Sequence, residues 1–161
     1  MFNNKYGDEG FTILFNKEIY KSSEELDFLG ELKEIQAYIR LFVSFINPFT
    51  YYFINDSLTD ILKSLNNIEI DYSKNIDDNY QVKSVINLEN KIEEIKIKVG
   101  NYKSKEIVSN KISALAEVIY CKLMKLERLY YKLKINKKYQ SYLNRVSDYF
   151  YLLKDFINKE M

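Results

Sequence analysis

Two glycines, a lysine and a hydroxyl lie close together near the N-terminus, within residues 4–12. This segment reads Asn-Lys-Tyr-Gly-Asp-Glu-Gly-Phe-Thr and contains Lys5, Gly7, Gly10 and Thr12, although the whole chain has only four glycines. Glycine permits positive φ angles and lets a ligand approach backbone N–H groups closely, which is how anion-binding loops are built. The pattern therefore indicates a phosphate-binding loop, with an ordinary turn before a helix as the alternative.

The composition of the chain excludes several kinds of chemistry. Histidine is absent from the 161 residues, which rules out Ser-His, Cys-His and zinc-histidine sites, and the single cysteine, Cys121, cannot form an internal disulfide. No protein-bound metal cluster is expected. The net charge is +1, from 24 basic and 23 acidic residues, so no nucleic-acid partner is expected either.

The length of the chain predicts a single domain over residues 1–161, large enough to fold without disulfides. Neither a signal peptide nor a long apolar run is present in the sequence. We therefore expect a cytoplasmic protein that has no membrane partner.

Apolar residues recur at three- and four-residue steps from Glu24 onward, which is the spacing of one helix face. These stripes predict five helices, which cover residues 24–46, 55–67, 82–99, 109–133 and the segment after Asn136. Pro48 closes the first helix, and Gly100 stands where a glycine commonly ends a helix. Residues 69–81 are polar and aperiodic, which predicts an exposed connection. The expected fold is all-α, a five-helix up-and-down bundle preceded by the phosphate-binding loop.

Aromatic residues are unusually frequent, with fifteen tyrosines and ten phenylalanines. They are concentrated in residues 45–53, which read Phe-Ile-Asn-Pro-Phe-Thr-Tyr-Tyr-Phe. Tyrosine suits surfaces that are buried against a partner, so this segment is a candidate interface or ligand wall. An aromatic corner of the core is the alternative reading.

Four short motifs follow one another in a recognisable order. They are the Lys-x-Gly-Asp-x-Gly-x-Thr loop of residues 5–12, a Gly-x-x-x-Glu helix start, the Glu127-Arg128 pair, and Tyr-Leu-Asn-Arg-x-Ser-Asp at residues 142–148. Their order and separations resemble the trimeric type of ATP:cob(I)alamin adenosyltransferase, and the resemblance spans nearly the whole chain.

The resemblance implies a five-helix bundle that forms homotrimers, with ATP and a reduced corrinoid meeting at each subunit interface. In that reaction cobalt(I) attacks the ribose C5′ of ATP and expels triphosphate, so the protein needs no nucleophile of its own. It orients ATP, stabilises charge on the triphosphate with Mg²⁺ and cations, and holds the cobalamin in a dry pocket.

The resemblance also assigns roles to residues by position. The residues that fall on the family's ATP-binding positions are Lys5, Gly7, Asp8, Gly10, Thr12, Lys21, Glu127, Arg128 and Asn144. Of these, Lys21 and Arg128 are implied to be catalytic. Plainer alternatives remain open: Lys21 could be solvated, Glu127 and Arg128 could be surface ion partners, and Asn144 could hydrogen-bond within the bundle.

The corrinoid side departs from the family pattern. Where the family has the aspartate of Asp-Glu-Leu-Asn, this chain has Lys33, and two arginine positions on the fourth helix hold Tyr120 and Met124. In the family that aspartate pairs with an arginine across the subunit interface beside the corrinoid. Replacing both partners together can be tolerated, whereas losing one would leave a buried charge unpaired. The trimer is therefore expected to survive the change even where catalysis does not.

Two further departures concern the loops. Tyr6 and Phe11 stand where the family has threonines, so two hydroxyl ligands for phosphate or Mg²⁺ are missing. The Leu-Pro-Gly-Gly stretch expected before the fourth helix is replaced by residues 106–109, without proline or glycine.

Three hypotheses follow from these matches and departures. The first is an active adenosyltransferase, based on the matching ATP-side residues. The second is a catalytically degenerate relative that binds ATP or a corrinoid, or only assembles as a trimer, based on Lys33, Tyr120 and Met124. The third is a helical interaction protein with no small ligand.

Overall fold

The computed structural model describes residues 7–74, 81–103, 110–133 and 139–160. A small antiparallel hairpin precedes five long helices in this part of the chain. The elements are β1 (Phe11–Leu14), β2 (Lys17–Tyr20), α1 (Glu24–Phe45), α2 (Tyr52–Lys74), α3 (Gln81–Val99), α4 (Lys111–Lys132) and α5 (Gln140–Glu160). The expected five-helix bundle is confirmed, and none of the helices described is both long and apolar enough to cross a membrane.

The helix ends follow from local side-chain chemistry. The Ser23 hydroxyl accepts a hydrogen bond from the backbone N–H of Leu26 at the start of α1, and the Asn110 side chain caps α4 in the same way. These oxygens satisfy N–H groups that have no partner within the helix. Gly100 adopts a φ of 60° and donates its N–H to the carbonyl of Lys96, which ends α3 as expected.

One apolar core runs through all five helices. Its fully buried members include Phe28, Leu32, Leu58, Ile95, Ile119, Leu123, Leu143 and Phe150. Helix α5 packs against both α3 and α4, and α1 packs against α4 and α2. The ion pair of Glu24 with Lys132 joins the first turn of α1 to the last turn of α4, so these two helices are antiparallel.

Helix α2 is longer than the sequence predicts. The polar residues 69–74 belong to this helix, so the expected exposed connection is wrong as far as Lys74, and residues 75–80 lie outside the described part. Tertiary contacts explain the extension: the Tyr72 ring packs 4.9 Å from the Phe28 ring, and Asp71 accepts a hydrogen bond from the Tyr139 hydroxyl at 3.4 Å. Packing of this kind overrides a weak local pattern.

The hairpin of β1 and β2 was not expected from the sequence. Its two-residue turn places Phe15 and Asn16 at positive φ angles of 54° and 58°, which matches the twist of a tight hairpin. Positive φ is costly for a bulky residue such as Phe15. Its ring packs edge-on to the Tyr72 ring at 5.3 Å, which offsets part of that cost.

The aromatic segment of residues 45–53 contains both core positions and exposed positions, so the core and interface interpretations each apply to part of it. Ile46 is buried, and the rings of Tyr51 and Phe53 pack against Phe156, so these positions form a corner of the core. By contrast, Phe49 is 94% exposed and Tyr52 is 71% exposed.

Candidate functional site

The glycine-containing turn of residues 7–10 is held against β2 and Lys21. Gly10 adopts a φ of 84°, and its carbonyl accepts a hydrogen bond from the Lys21 backbone N–H at 2.8 Å. The Lys21 ammonium donates to the Gly7 carbonyl at 2.6 Å. A Cβ at Gly7 would lie only 2.8 Å from the Lys21 Nζ, so a larger residue here would displace the flexible end of Lys21. The structure thus brings Gly7, Gly10 and Lys21 together.

The remaining residues of the N-terminal motif are arranged more loosely. Asp8 is exposed in the turn, and Thr12 lies on β1 opposite Ile19. Within the described part of the chain, the side chains of Asp8 and Thr12 have no hydrogen-bond or ion-pair partner. Lys5 and Tyr6 lie outside the described residues.

The second group of predicted residues lies where α4 and α5 pack side by side. Three pairs give the antiparallel register: the Ser113 hydroxyl donates to the Lys154 carbonyl at 2.9 Å, Ser147 donates to Glu127, and Gln140 donates to the Tyr131 hydroxyl. We call this surface the α4–α5 face, made of Tyr120, Met124, Glu127, Arg128 and Tyr131 on α4 and of Asn144, Ser147 and Tyr151 on α5.

This register places Arg128 at the same height along the bundle as Asn144. Both lie between the Glu127–Ser147 pair and the Tyr131–Gln140 pair. Both side chains are exposed. Neither makes an ion pair or a side-chain hydrogen bond with any other described residue. The neighbouring Arg145 differs, because its guanidinium is 3.0 Å from the Asp148 carboxylate. A free guanidinium and a free amide at one level can donate hydrogen bonds to an anionic ligand.

Glu127 does not pair with Arg128. Its carboxylate accepts the hydrogen bond of the buried Ser147 hydroxyl across the helix contact, which fixes the side chain between α4 and α5. The plainer alternative, in which Glu127 and Arg128 are ion partners of one another, is therefore not what the structure shows.

The two groups lie toward the same end of the bundle. Lys21 precedes Glu24 by three residues, and Glu24 pairs with Lys132, which follows Arg128 by four residues. Among the described residues, Lys21 forms no hydrogen bond or ion pair with Arg128 or Asn144. One chain therefore presents two groups of predicted ATP-site residues on different elements.

Two of the residues that depart from the family pattern, Lys33 and Tyr120, contact other residues of the same chain. The Lys33 ammonium is 3.4 Å from the Glu69 carboxylate of α2, and the Gln36 amide donates to the same carboxylate at 2.9 Å. Tyr120 stacks against Tyr151 with ring centroids 5.5 Å apart. Partial burial, with a smaller contribution from Tyr151, raises the pKa of Tyr120.

Sequence reasoning missed an ion-pair network between α1 and α4. Glu31, only 4% exposed, lies 3.3 Å from the Lys122 ammonium and accepts a hydrogen bond from Lys125 at 2.5 Å, while Glu34 pairs with Lys122 at 2.8 Å. We call these four residues the α1–α4 network. The bond to Glu34, supported by Glu31, raises the pKa of Lys122. The sequence signal was an acidic pair and a basic pair, each with a spacing of three residues, but only folding shows that they meet.

The fold and its matches define the class of the protein. A family model described as cobalamin adenosyltransferase matches residues 2–157. The chain therefore belongs to the cobalamin adenosyltransferase family. Among curated proteins, none matches the chain at a significant level.

Solved structures with the same fold include PduO-type ATP:corrinoid adenosyltransferases from Lactobacillus reuteri. An arginine-to-lysine variant complexed with ATP has a TM-score of 0.85 at 24% identity, covering 97% of this chain and 93% of that chain. A phenylalanine-to-histidine variant complexed with cobalamin and ATP scores 0.84 at 22% identity, covering 99% and 91%. A phenylalanine-to-alanine variant with the same two ligands scores 0.83 at 22% identity, covering 99% and 94%.

Proposed function

We propose that this protein is an ATP:cob(I)alamin adenosyltransferase, which transfers the 5′-deoxyadenosyl group of ATP to a reduced corrinoid and releases triphosphate. The observation that carries the proposal is that Arg128 and Asn144 lie at the same level of the α4–α5 face, both exposed and without partners in the described chain. Family membership supports the same reaction.

The chain's own residues bind and orient the nucleotide in this proposal. The cobalt–carbon bond forms at the ribose C5′ as the C5′–O bond breaks, and the electron pair leaves with the triphosphate. Lys21 and Arg128 supply positive charge where the leaving triphosphate gains negative charge, which lowers the barrier more than it stabilises bound ATP. Gly7, Gly10 and Thr12, with Lys5, contribute N–H, hydroxyl and ammonium groups to the phosphates. Asn144 and Glu127 position the nucleoside.

Mg²⁺ enters this proposal with ATP, as part of the substrate. Among the described residues, no group of three or more His, Cys, Asp or Glu side chains is placed to hold a metal ion. In nucleotide sites Mg²⁺ is bound largely by phosphate oxygens and water, with one or two protein oxygens. Asp8, exposed in the glycine turn, fits that requirement.

We also propose that the site is completed between the subunits of a homotrimer, as the family resemblance implies. Within this chain the two groups of site residues lie on different elements, and no hydrogen bond or ion pair joins Lys21 to Arg128 or Asn144 among the described residues. A neighbouring subunit could supply the opposite half. One domain over residues 1–161 and a cytoplasmic place of action, where ATP is available, complete the proposal.

A second candidate function is favoured by the pairing of Lys33 with Glu69. The 3.4 Å contact keeps the Lys33 charge within one subunit, and Tyr120 and Met124 carry no charge to pair across an interface. These features suit a relative that binds ATP or a corrinoid without catalysis. If it is correct, the double substitution Lys33→Asp with Met124→Arg should create activity that the wild type lacks.

The deciding experiment is an anaerobic titration of the purified protein with chemically reduced cobalamin, with and without Mg-ATP, following loss of the cob(I)alamin absorption band. We expect conversion to adenosylated product in the wild type and its loss in Asn144→Ala. The matched control is Asn90→Ala, since Asn90 is an exposed asparagine on α3. ATP binding without conversion would instead establish the second candidate, and absence of any binding would leave only an interaction protein.

A further inference from the structure

A cavity of about 130 Å³ lies between α2 and α3, and we call it the α2–α3 cavity. Helix α3 packs mainly on α5 and makes few contacts with α2, which leaves a cleft between α2 and α3. One lysine bridges this cleft: the Lys91 ammonium of α3 lies 2.7 Å from the Asp60 carboxylate and 3.1 Å from the Asp56 carboxylate of α2. Ion pairs therefore hold the two helices together beside an unfilled space.

A buried hydroxyl in this cavity has no partner within the described part of the chain. Ser64 of α2 lines the cavity and is 9% exposed, and its hydroxyl forms no hydrogen bond with a described residue. Ser57, seven residues earlier on the same helix face, instead donates to the Phe53 carbonyl at 2.8 Å. A serine in a helix can satisfy its hydroxyl in that way, and a buried hydroxyl without any bond is costly. The Ser64 hydroxyl is therefore available to a ligand in the cavity.

The lining of the cavity carries charges of both signs. Because Asp56 and Asp60 share the single ammonium of Lys91, these three residues have one excess negative charge. Lys63 also lines the cavity, is exposed, and has no ion pair or hydrogen bond to any residue that the structure describes. Residues three apart on a helix have Cβ atoms about 5–6 Å apart, so Lys63 and Asp60 flank the same small space. The cavity thus has a positive and a negative side close together.

The size and the remaining lining of the cavity limit the ligand further. A protein cavity of about 150 Å³ holds benzene, so a volume of about 130 Å³ admits a ligand of about six heavy atoms. Ile61, Leu88 and the Tyr142 ring supply apolar surface for a short side chain. Ser84 and Asn87 of α3, neither with a hydrogen-bond partner in the described segments, add donors from the opposite wall.

We propose that the α2–α3 cavity binds a small zwitterionic amino acid, of the size of glycine, alanine or serine. Its ammonium group lies against the Asp60 carboxylate, and its carboxylate accepts hydrogen bonds from Lys63 and Ser64. A simple anion would be repelled by the acidic side of the cavity, and a simple amine would be repelled by the Lys63 ammonium. A molecule that carries both charges therefore fits the lining best.

The cavity is separate from the α4–α5 face. Tyr142 lines the cavity, and Asn144 follows it by two residues on α5. Two residues correspond to a rotation of about 200° around a helix, so these side chains leave α5 on nearly opposite sides. The inference accordingly goes beyond the proposed function and does not rest on it.

The test is isothermal titration calorimetry of the full chain with L-alanine. We expect saturable binding, and binding at least about tenfold weaker for propionate and for ethylamine, each of which lacks one of the two charged groups. Lys63→Gln should lower the affinity for L-alanine about tenfold or more. The matched control is Lys103→Gln, since Lys103 is an exposed lysine that follows α3 and does not line the cavity; its affinity should equal that of the wild type.

A second variant, Ser64→Ala, tests the buried hydroxyl. We expect its affinity for L-alanine to fall about three- to tenfold with an unchanged melting temperature, because the hydroxyl has no partner to lose in the described chain. Absence of L-alanine binding at millimolar concentration would overturn the inference. Equal or tighter binding of propionate or inorganic phosphate would make the cavity an anion site and would also overturn it, as would unchanged affinity in both variants. None of these titrations uses cob(I)alamin, so each outcome leaves the adenosyltransferase proposal to its own experiment.

Discussion

Lys125 and Arg128 lie three residues apart on α4, and both are exposed, yet of the two only Lys125 has a partner in the described part of the chain. Its ammonium donates to the buried Glu31 carboxylate at 2.5 Å, whereas Arg128 has no partner among the described residues. The α1–α4 network uses its charges to join two helices. In the polar part of the α4–α5 face, the Arg128 guanidinium and the Asn144 amide remain available to a ligand. For these two residues of α4, pairing within the chain distinguishes the one that joins two helices from the one whose charge is available to a ligand.

The largest expected effect follows from substitution of the unpaired residue, Arg128. Arg128→Ala should lower kcat/KM about 100- to 1000-fold, because a donor to the developing negative charge is lost. The melting temperature should stay near that of the wild type, since the side chain has no partner in the described chain to lose. Steady-state kinetics and differential scanning calorimetry measure the two quantities. A large fall in melting temperature would show that Arg128 is structural.

The α1–α4 network should respond in the opposite way. Glu31→Gln removes the carboxylate charge that accepts the hydrogen bond of Lys125 and forms an ion pair with Lys122, so we expect the free energy of unfolding to fall by about 1–2 kcal/mol. Denaturant unfolding measures this value. The control is Glu34→Gln, because among the described residues its more exposed carboxylate pairs only with Lys122, and it should cost less. Equal effects of the two variants would contradict the importance of burial at Glu31.

A third substitution tests the glycine turn. In Gly7→Ala the new Cβ would stand 2.8 Å from the Lys21 Nζ, so the flexible end of Lys21 must move. We expect the KM for ATP to rise about tenfold, equivalent to about 1.4 kcal/mol, with little change in stability. Gly30→Ala is the control, because a Cβ at Gly30 meets no atom within 4 Å. An unchanged KM for ATP would remove the turn from the ATP site.

The smallest expected effect concerns Tyr72, which supports the hairpin turn. Burial raises the pKa of Tyr72 from 10.0 to about 12 in the folded protein. Because the folded-state pKa exceeds the unfolded one, this residue contributes stability that is present below pH 10 and lost as the pH rises toward 12. Tyr72→Phe should therefore show a shallower loss of stability over that range in pH-dependent unfolding. An identical slope would indicate that other groups govern alkaline unfolding.

The two regions also differ in how far they could be predicted from the sequence. The helices and their ends were predictable where a stripe, a cap or Gly100 carried the signal locally. The end of α2 was not, because residues 69–74 are held in the helix by Tyr72, Asp71 and their distant partners. The hairpin was not predicted because Phe15 and Asn16 form a type of turn that usually contains glycine, and neither residue is glycine.

The candidate site shows the same division. Short motifs identified Arg128 and Asn144 as candidates and the family resemblance added Lys21, since residue type and order along the chain carry that information. They did not show whether any side chain was free. Glu127 is occupied by Ser147, and Lys33 is occupied by Glu69, through contacts between residues that are 20 and 36 positions apart.

The sequence by itself determined five amphipathic helices, the glycine turn and the family to which the chain belongs, because periodicity and local motifs are properties of neighbouring residues. Only the tertiary structure decided which charges are paired, that Arg128 and Asn144 lie at one level, and that Tyr120 meets Tyr151. These outcomes depend on the rotation and register of α4 against α1 and α5. Register is set by packing of the whole core, which no local pattern contains.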